Sequence, residues 1–134
     1  MIKLAISGCQ GRMGQSIMRL ALKDSDFQLS ALLEHKDHPK ANQTVHDIVI
    51  RTDSEALKGS DILIEFTSPE ATIAHLQACR ANHVKMVIGT TGLQPDQIKL
   101  VKEASHHMPI VFASNMSVGV NILFKLTQIT AEKT

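Results

Sequence analysis

Three glycines and one distant acid carry the chemistry that this sequence makes readable. Gly8, Gly11 and Gly14 follow a short apolar run, Ile2–Ser7, and open a helical pattern within Gly8-Cys9-Gln10-Gly11-Arg12-Met13-Gly14. A strand that turns tightly into a helix leaves the first helical amides without internal partners. The helix dipole adds partial positive charge there, and the two together suit a pyrophosphate. A side chain at Gly11 would hold the phosphates off those amides, and one at Gly14 would hold the helix off the strand. Glu34 stands 20 residues beyond Gly14, close to the spacing of roughly 20 at which a carboxylate accepts from a ribose hydroxyl. An ordinary solvated loop acid would look the same, so both readings stay open.

The glycine pattern departs from the general dinucleotide fingerprint, G-x-G-x-x-G. Gly11 and Gly14 fill its last two positions, while Cys9 stands where the first glycine belongs and Gly8 falls one place early. A cysteine beside a helix N-terminus can be a reactive thiol. A small residue filling a tight turn is the plainer reading of Cys9.

These residues need a scaffold, and the chain alternates between apolar runs and helical patterns. Strands are expected at Ile2–Ser7, Phe27–Leu33, Asp61–Phe66, Lys85–Ile88 and Pro109–Ala113, with a weaker one near His46–Arg51. Ile62-Leu63-Ile64 and Met86-Val87-Ile88 are continuous rather than alternating, as in parallel strands covered on both faces. Met13, Ile17, Leu20 and Ala21 share one helical face. Ser68-Pro69-Glu70 opens a second helix with a cap, a first-turn proline and an acid, anchored by Ile73 and Leu76. Pro95-Asp96 opens a third, with Ile98 and Val101 facing inward. Glu34–Thr44 reads as a mobile surface loop. The fold class expected is α/β, a Rossmann-like doubly wound parallel sheet with right-handed crossovers. Loops at the carboxyl ends of its strands then share one rim, where such sheets bind ligands. Gly8–Gly14, Glu34, Thr67-Ser68-Pro69, Gly89-Thr90-Thr91-Gly92 and Ser114-Asn115-Met116-Ser117 all meet there.

Composition excludes more than it identifies. At 134 residues, with 43% hydrophobic and 20% charged residues, the chain suits one domain with a real core. A net charge of +1 gives no electrostatic reason to expect nucleic acid or an anionic membrane. No apolar run approaches a membrane span, and no signal peptide is visible ahead of the first strand. Cys9 and Cys79 suggest neither a disulfide framework nor a metal pair, which fits a reducing cytoplasm. Of the seven histidines, His106-His107 lacks partners at ligand spacing, and His75 and His83 lie too far apart, so solvated or core histidines are expected and no metal site. Lys58-Gly59-Ser60 has the wrong order for a P-loop. A Tyr-x-x-x-Lys acid is impossible without tyrosine.

Taken together, four segments resemble the amino-terminal half of the dihydrodipicolinate reductase family. They are Gly8-Cys9-Gln10-Gly11-Arg12-Met13-Gly14, Glu65-Phe66-Thr67-Ser68-Pro69-Glu70, Val87-Ile88-Gly89-Thr90-Thr91-Gly92 and Asn115-Met116-Ser117-Val118-Gly119-Val120-Asn121. They occur in the family's order and cover nearly the whole chain. The resemblance implies a cytoplasmic oxidoreductase of lysine and diaminopimelate synthesis, moving hydride from NADH or NADPH to a cyclic unsaturated dicarboxylate. By motif, Gly8, Cys9, Gln10, Gly11, Arg12 and Met13 would hold the pyrophosphate, and Glu34 the adenine ribose, with His35 beside it. Gly89, Thr90 and Thr91 would lie along the nicotinamide side with Ala113, Ser114, Asn115 and Met116. Arg12, His35 or Lys36 could meet a 2′-phosphate, and the choice between the two coenzymes stays open. The family usually has aspartate where Glu65 stands.

The resemblance also divides the chain into a dinucleotide-binding domain, 1–120, and residues 121–134. Ile122, Leu126 and Ile129 form an apolar stripe on the latter, the expected first helix of a substrate and oligomerisation domain. That domain holds the family's proton donor and its tetramer contacts, so no catalytic residue is expected here, nor turnover by these 134 residues alone. A stand-alone nucleotide sensor without chemistry is the alternative reading.

Overall fold

In the computed structural model, which describes residues 1–113, a seven-stranded sheet lies between helices on both faces. The elements are β1 (Ile2–Ser7), α1 (Arg12–Lys23), β2 (Phe27–Leu33), β3 (Thr44–Val45), β4 (Ile48–Arg51), β5 (Ile62–Glu65), α2 (Pro69–Asn82), β6 (Lys85–Ile88), α3 (Pro95–Ala104) and β7 (Ile110–Phe112). A short 3-10 turn, Ser54–Leu57, precedes β5. The strand order is β3-β4-β2-β1-β5-β6-β7, and every pair is parallel except β3 with β4. This is a Rossmann-like, doubly wound α/β fold. The chain builds outward from β1 to β2 and β4, then returns to add β5, β6 and β7 on the other side. The carboxyl ends of β1 and β5 therefore flank a switch point, the place where open α/β sheets form a crevice.

Strand parity decides which face each side chain serves. Leu4 and Ile6 of β1, Leu32 of β2, Ile62 and Ile64 of β5 and Val87 of β6 pack with Ile17, Met18 and Ala21 of α1. Ala5, Ala31, Leu33, Leu63, Met86 and Ile88 point the other way, against Leu76 and Cys79 of α2 and Val101 and Ala104 of α3. By the same alternation Ser7 and Glu65 turn toward α2. Both faces carry a buried cluster, which explains the unbroken apolar runs of β5 and β6.

The hairpin β3–β4 departs from the sequence reading. His46, expected in a strand, instead forms the turn with Asp47, at φ of 51° and 64°. Val45 pairs with Ile48 across it, so the link has two residues, both left-handed, the arrangement whose twist matches flanking strands. Asp tolerates that conformation because its short polar chain bonds locally. No helix joins the parallel strands β2 and β4. The connecting segment 34–43, expected to be mobile, is exposed but tied down: the Asn42 amide donates to Ile50 O at 2.9 Å and the Ile50 amide to Gln43 O at 2.8 Å. The expected helix of residues 121–134 lies outside the described residues.

Candidate functional site

The turn between β1 and α1 is shaped by two close approaches. Gly8 has φ of +72°, and a Cβ there would stand 2.9 Å from Phe66 O. A Cβ on Gly14 would stand 2.2 Å from Gly8 O and 2.8 Å from Cys9 Cα, so only glycine lets α1 start so close to β1. The amides of Gly8 and Cys9 donate to Leu33 O at 3.0 and 3.2 Å, and that of Gly11 to Gly8 O at 3.0 Å. Gly11 caps α1 without a side-chain bond, whereas Ser68 Oγ accepts from the Ala71 amide at 3.2 Å to cap α2. The first turn of α1 carries no acid and begins with the exposed Arg12. Its positive end is left for an anion.

Among the residues proposed for this turn, Gln10, Gly11 and Arg12 reach the surface. Met13 packs against the α1 core, leaving its backbone to the site. Cys9 is fully buried. Burial, then the nearby Glu34 charge, push its thiol up to about 11. At neutral pH it is a protonated turn-filler rather than a nucleophile.

Glu34 ends β2 beside this turn. Its Oε2 accepts from the Gln10 amide at 3.0 Å, and its Oε1 from the His35 amide at 3.1 Å. It is therefore not a free loop acid, since its carboxylate is tied to the glycine turn. Glu34, His35 and Lys36 line one side of a cleft of about 380 Å³. Ser7 and Gly8 form its centre, with Thr52, Thr67, Ser68, Ala71 and His75 also lining it. A volume in this range suits part of a dinucleotide.

Below the cleft lies a polar chain that sequence reasoning missed. Glu65 is fully buried. Its Oε1 makes a short hydrogen bond with His75 Nδ1, and its Oε2 accepts from Thr67 Oγ1 at 2.9 Å. Ser7 Oγ lies 3.3 Å from the same Nδ1. Strand parity sends Glu65 and Ser7 toward α2, where His75 stands one turn before Cys79. The available signal was an acid closing an otherwise apolar strand, which demands a buried partner.

The network runs on into the next loop and takes in Thr90. That residue is 2% exposed. Its Oγ1 accepts from the Thr67 amide at 3.2 Å and bonds Thr72 Oγ1 at 2.8 Å. The side chain thus fastens the β6 loop to α2. Thr91 is exposed, and Gly89 lies against the Phe66 ring. Gly89, Thr91 and Ala113 lie at the carboxyl ends of β6 and β7, beyond the cleft's lining. Ser114, Asn115 and Met116 fall outside the described residues. Among the described residues, no three His, Cys, Asp or Glu are grouped to hold a metal ion, and no helix is long and apolar enough to cross a membrane.

The glycine turn, the tied acid and the switch-point crevice coincide with a family match. Residues 2–116 match the family described as dihydrodipicolinate reductase, N-terminus. The chain belongs to this family. The 4-hydroxy-tetrahydrodipicolinate reductase of Nitrosomonas eutropha is 42% identical over 140 residues, covering 98% of this chain and 52% of that protein. The chain spans about half the length of the curated relatives it matches. A dipicolinate-bound dihydrodipicolinate reductase from Paenisporosarcina sp. TG-14 superposes with a TM-score of 0.75 at 25% identity, over 98% of this chain and 54% of that one. Homoserine dehydrogenase of S. aureus, at 14% identity and a TM-score of 0.69 over 84% of this chain and 32% of that one, shares the fold. The doubly wound sheet is thus common to several enzymes, and the reductase family is set by sequence.

Proposed function

We propose that this chain provides the NAD(P)H-binding domain of a 4-hydroxy-tetrahydrodipicolinate reductase. The observation that carries the reading is the N-terminus of α1, which bears no side-chain cap and lies so close to the β1 turn that a Cβ on Gly14 would stand 2.2 Å from Gly8 O. A helix end capped only by Gly11, with no side chain in the way, fits the diphosphate of a dinucleotide. Gly8–Met13 shape the site for that bridge, the amides of Arg12 and Met13 at the start of α1 meet it, and Arg12 adds charge. Glu34 accepts from ribose hydroxyls at the mouth of the cleft, next to His35. The adenosine half occupies the cleft toward His75.

Toward the other end, Gly89, Thr91 and Ala113, with residues 114–116, face the nicotinamide. The Thr90 side chain holds that loop in place. A bound nicotinamide supplies the hydride, and the acceptor is the cyclic dicarboxylate for which the relatives are named. The chain's own contribution is binding, orientation and exclusion of water. Residues 1–120 constitute this domain, and 121–134 lead toward the part of the relatives that the chain does not cover. A cytoplasmic setting accords with biosynthetic chemistry and with two unpaired cysteines.

Titration of the 134-residue chain with NADH and with ADP-ribose, followed by amide chemical shifts, tests the proposal. Saturable shifts at Gln10, Gly11 and Arg12 with both ligands are expected. Shifts confined to another face, or none at millimolar ligand, overturn it.

A further inference from the structure

We infer that His75, held by Glu65, is a specificity-determining residue on the cleft wall, turning its Nε2 edge toward a hydrogen-bonding atom of the bound nucleoside. This deepens the reading above and rests on the adenosine half occupying that cleft. Four observations converge. Glu65 is 0% exposed, whereas the His75 side chain retains 15% exposure and lines the cleft. Nδ1 is consumed by Glu65, with Ser7 Oγ beside it, so the ring's Nε2 edge is the one left to face the opening. Glu65 Oε2 is satisfied separately by Thr67 Oγ1. Among the described residues no buried side-chain polar atom lacks a partner, so the pair has no internal demand left to meet.

Glu65 fixes the ring rather than the ligand. With Nδ1 bonded to a carboxyl oxygen of a residue at zero exposure, the plane of the imidazole is set, and its Nε2 edge is the polar group left at the cleft wall. A ribose hydroxyl or a purine edge supplies the partner. Glu65 touches no ligand, and it acts by fixing the ring's orientation.

The test uses the 134-residue chain with ADP-ribose and inorganic pyrophosphate as probes, read by amide chemical shifts and thermal melting. His75→Asn places an amide nitrogen near the position of Nδ1, keeping a donor for Glu65 while deleting the Nε2 edge. The expected result is a roughly tenfold weaker affinity for ADP-ribose, the loss of one ligand hydrogen bond, with pyrophosphate affinity within about twofold. Unchanged ADP-ribose affinity, or equal losses for both probes, overturns the inference. Glu65→Gln and Glu65→Leu provide an independent pair. A glutamine amide can still bond Nδ1 and hold the ring, so Gln retains ADP-ribose affinity where Leu loses it. Equal affinities in those two variants overturn the inference as well. Failure of the parent chain to bind ADP-ribose removes the proposed function itself, whereas binding by the parent with an indifferent His75→Asn removes only this inference.

Discussion

The Glu34 carboxylate accepts a hydrogen bond from the Gln10 amide at 3.0 Å, so the acid that ends β2 and the turn that ends β1 are physically joined. Glu34 therefore has two tasks, holding the turn and meeting the ribose. Glu34→Gln keeps an acceptor oxygen for Gln10 but removes the charge. Glu34→Ala removes both. The expected order of NADH affinity is parent, then Gln, then Ala, with Ala weaker by ~10- to 100-fold. Isothermal titration checks it, and equal affinity across the three would dismiss a ribose role for Glu34.

Gly14 tests the other side of the turn. Its Cβ would collide with backbone on Gly8 and Cys9 at 2.2 and 2.8 Å, and backbone cannot swing away as a side chain can. Gly14→Ala is expected to destabilise the chain by roughly 2–4 kcal/mol and to abolish NADH-induced shifts at Gly11. Urea unfolding and the same titration measure the two effects. Gly11→Ala should cost less than Gly14→Ala, since a Cβ there meets only Gly8 O at 3.3 Å, a tight contact that a shift of a few tenths of an ångström relieves.

Much of this frame is legible in the amino-acid order, because local signals and burial agree. Ile2–Ser7, Phe27–Leu33 and Lys85–Ile88 form strands with the expected limits, and Ser68-Pro69 starts α2 where cap and proline indicate. The β5 and β7 strands are each one residue shorter at both ends than expected. What escaped depends on distant partners. His46 and Asp47 carry no glycine to announce a left-handed turn. Glu65 and His75 lie ten positions apart and meet only because strand parity and helix phase coincide. The Thr90 side chain is tied to Thr67 and Thr72, two residues that the order of the chain does not mark as its neighbours.

Thr90 accordingly predicts a separation of stability from binding. Thr90→Val keeps the shape but strips the side-chain acceptor from the Thr67 amide and leaves Thr72 Oγ1 with Ser68 O alone, a cost of about 1–3 kcal/mol. Thr90→Ser keeps the oxygen and should recover most of it. Binding of NADH by folded Thr90→Val should match the parent. Chemical denaturation and titration together decide, and a selective binding loss in a fully stable Thr90→Val protein would return the hydroxyl to the ligand.

The buried cysteines set an alkaline limit on stability. Burial foremost, with Glu34 nearby, raises Cys9 from 9.0 to about 11, and burial with Glu65 raises Cys79 as well. Below pH 9 both thiols are protonated in the folded and unfolded chains alike, and the shifts cost nothing. Between about 9 and 11 the unfolded chain loses thiol protons that the folded chain keeps, so stability falls as pH rises. Denaturation midpoints should decline from pH 8.5 to 10.5, and Cys9→Ala should flatten part of that slope. A thiol-reactive probe at pH 7.5 should label Cys9 only as fast as the chain opens.

Coenzyme preference turns on the residues that follow Glu34. His35 is already engaged, its Nδ1 3.6 Å from Asp37 and accepting from the Asp37 amide at 3.2 Å. Lys36 lines the cleft and stands in no ion pair among the described residues. A 2′-phosphate at the ribose would face the Glu34 carboxylate, and a lysine in reach offsets that repulsion as a screened point charge. Lys36→Ala should then weaken NADPH about three- to tenfold while moving NADH by less than twofold, with the difference shrinking as salt rises. Paired titrations at 20 mM and 300 mM salt, roughly spanning the Debye range, read this directly. Parallel losses for both coenzymes would place Lys36 on the shared diphosphate instead, leaving Arg12 as the charge that could tell them apart.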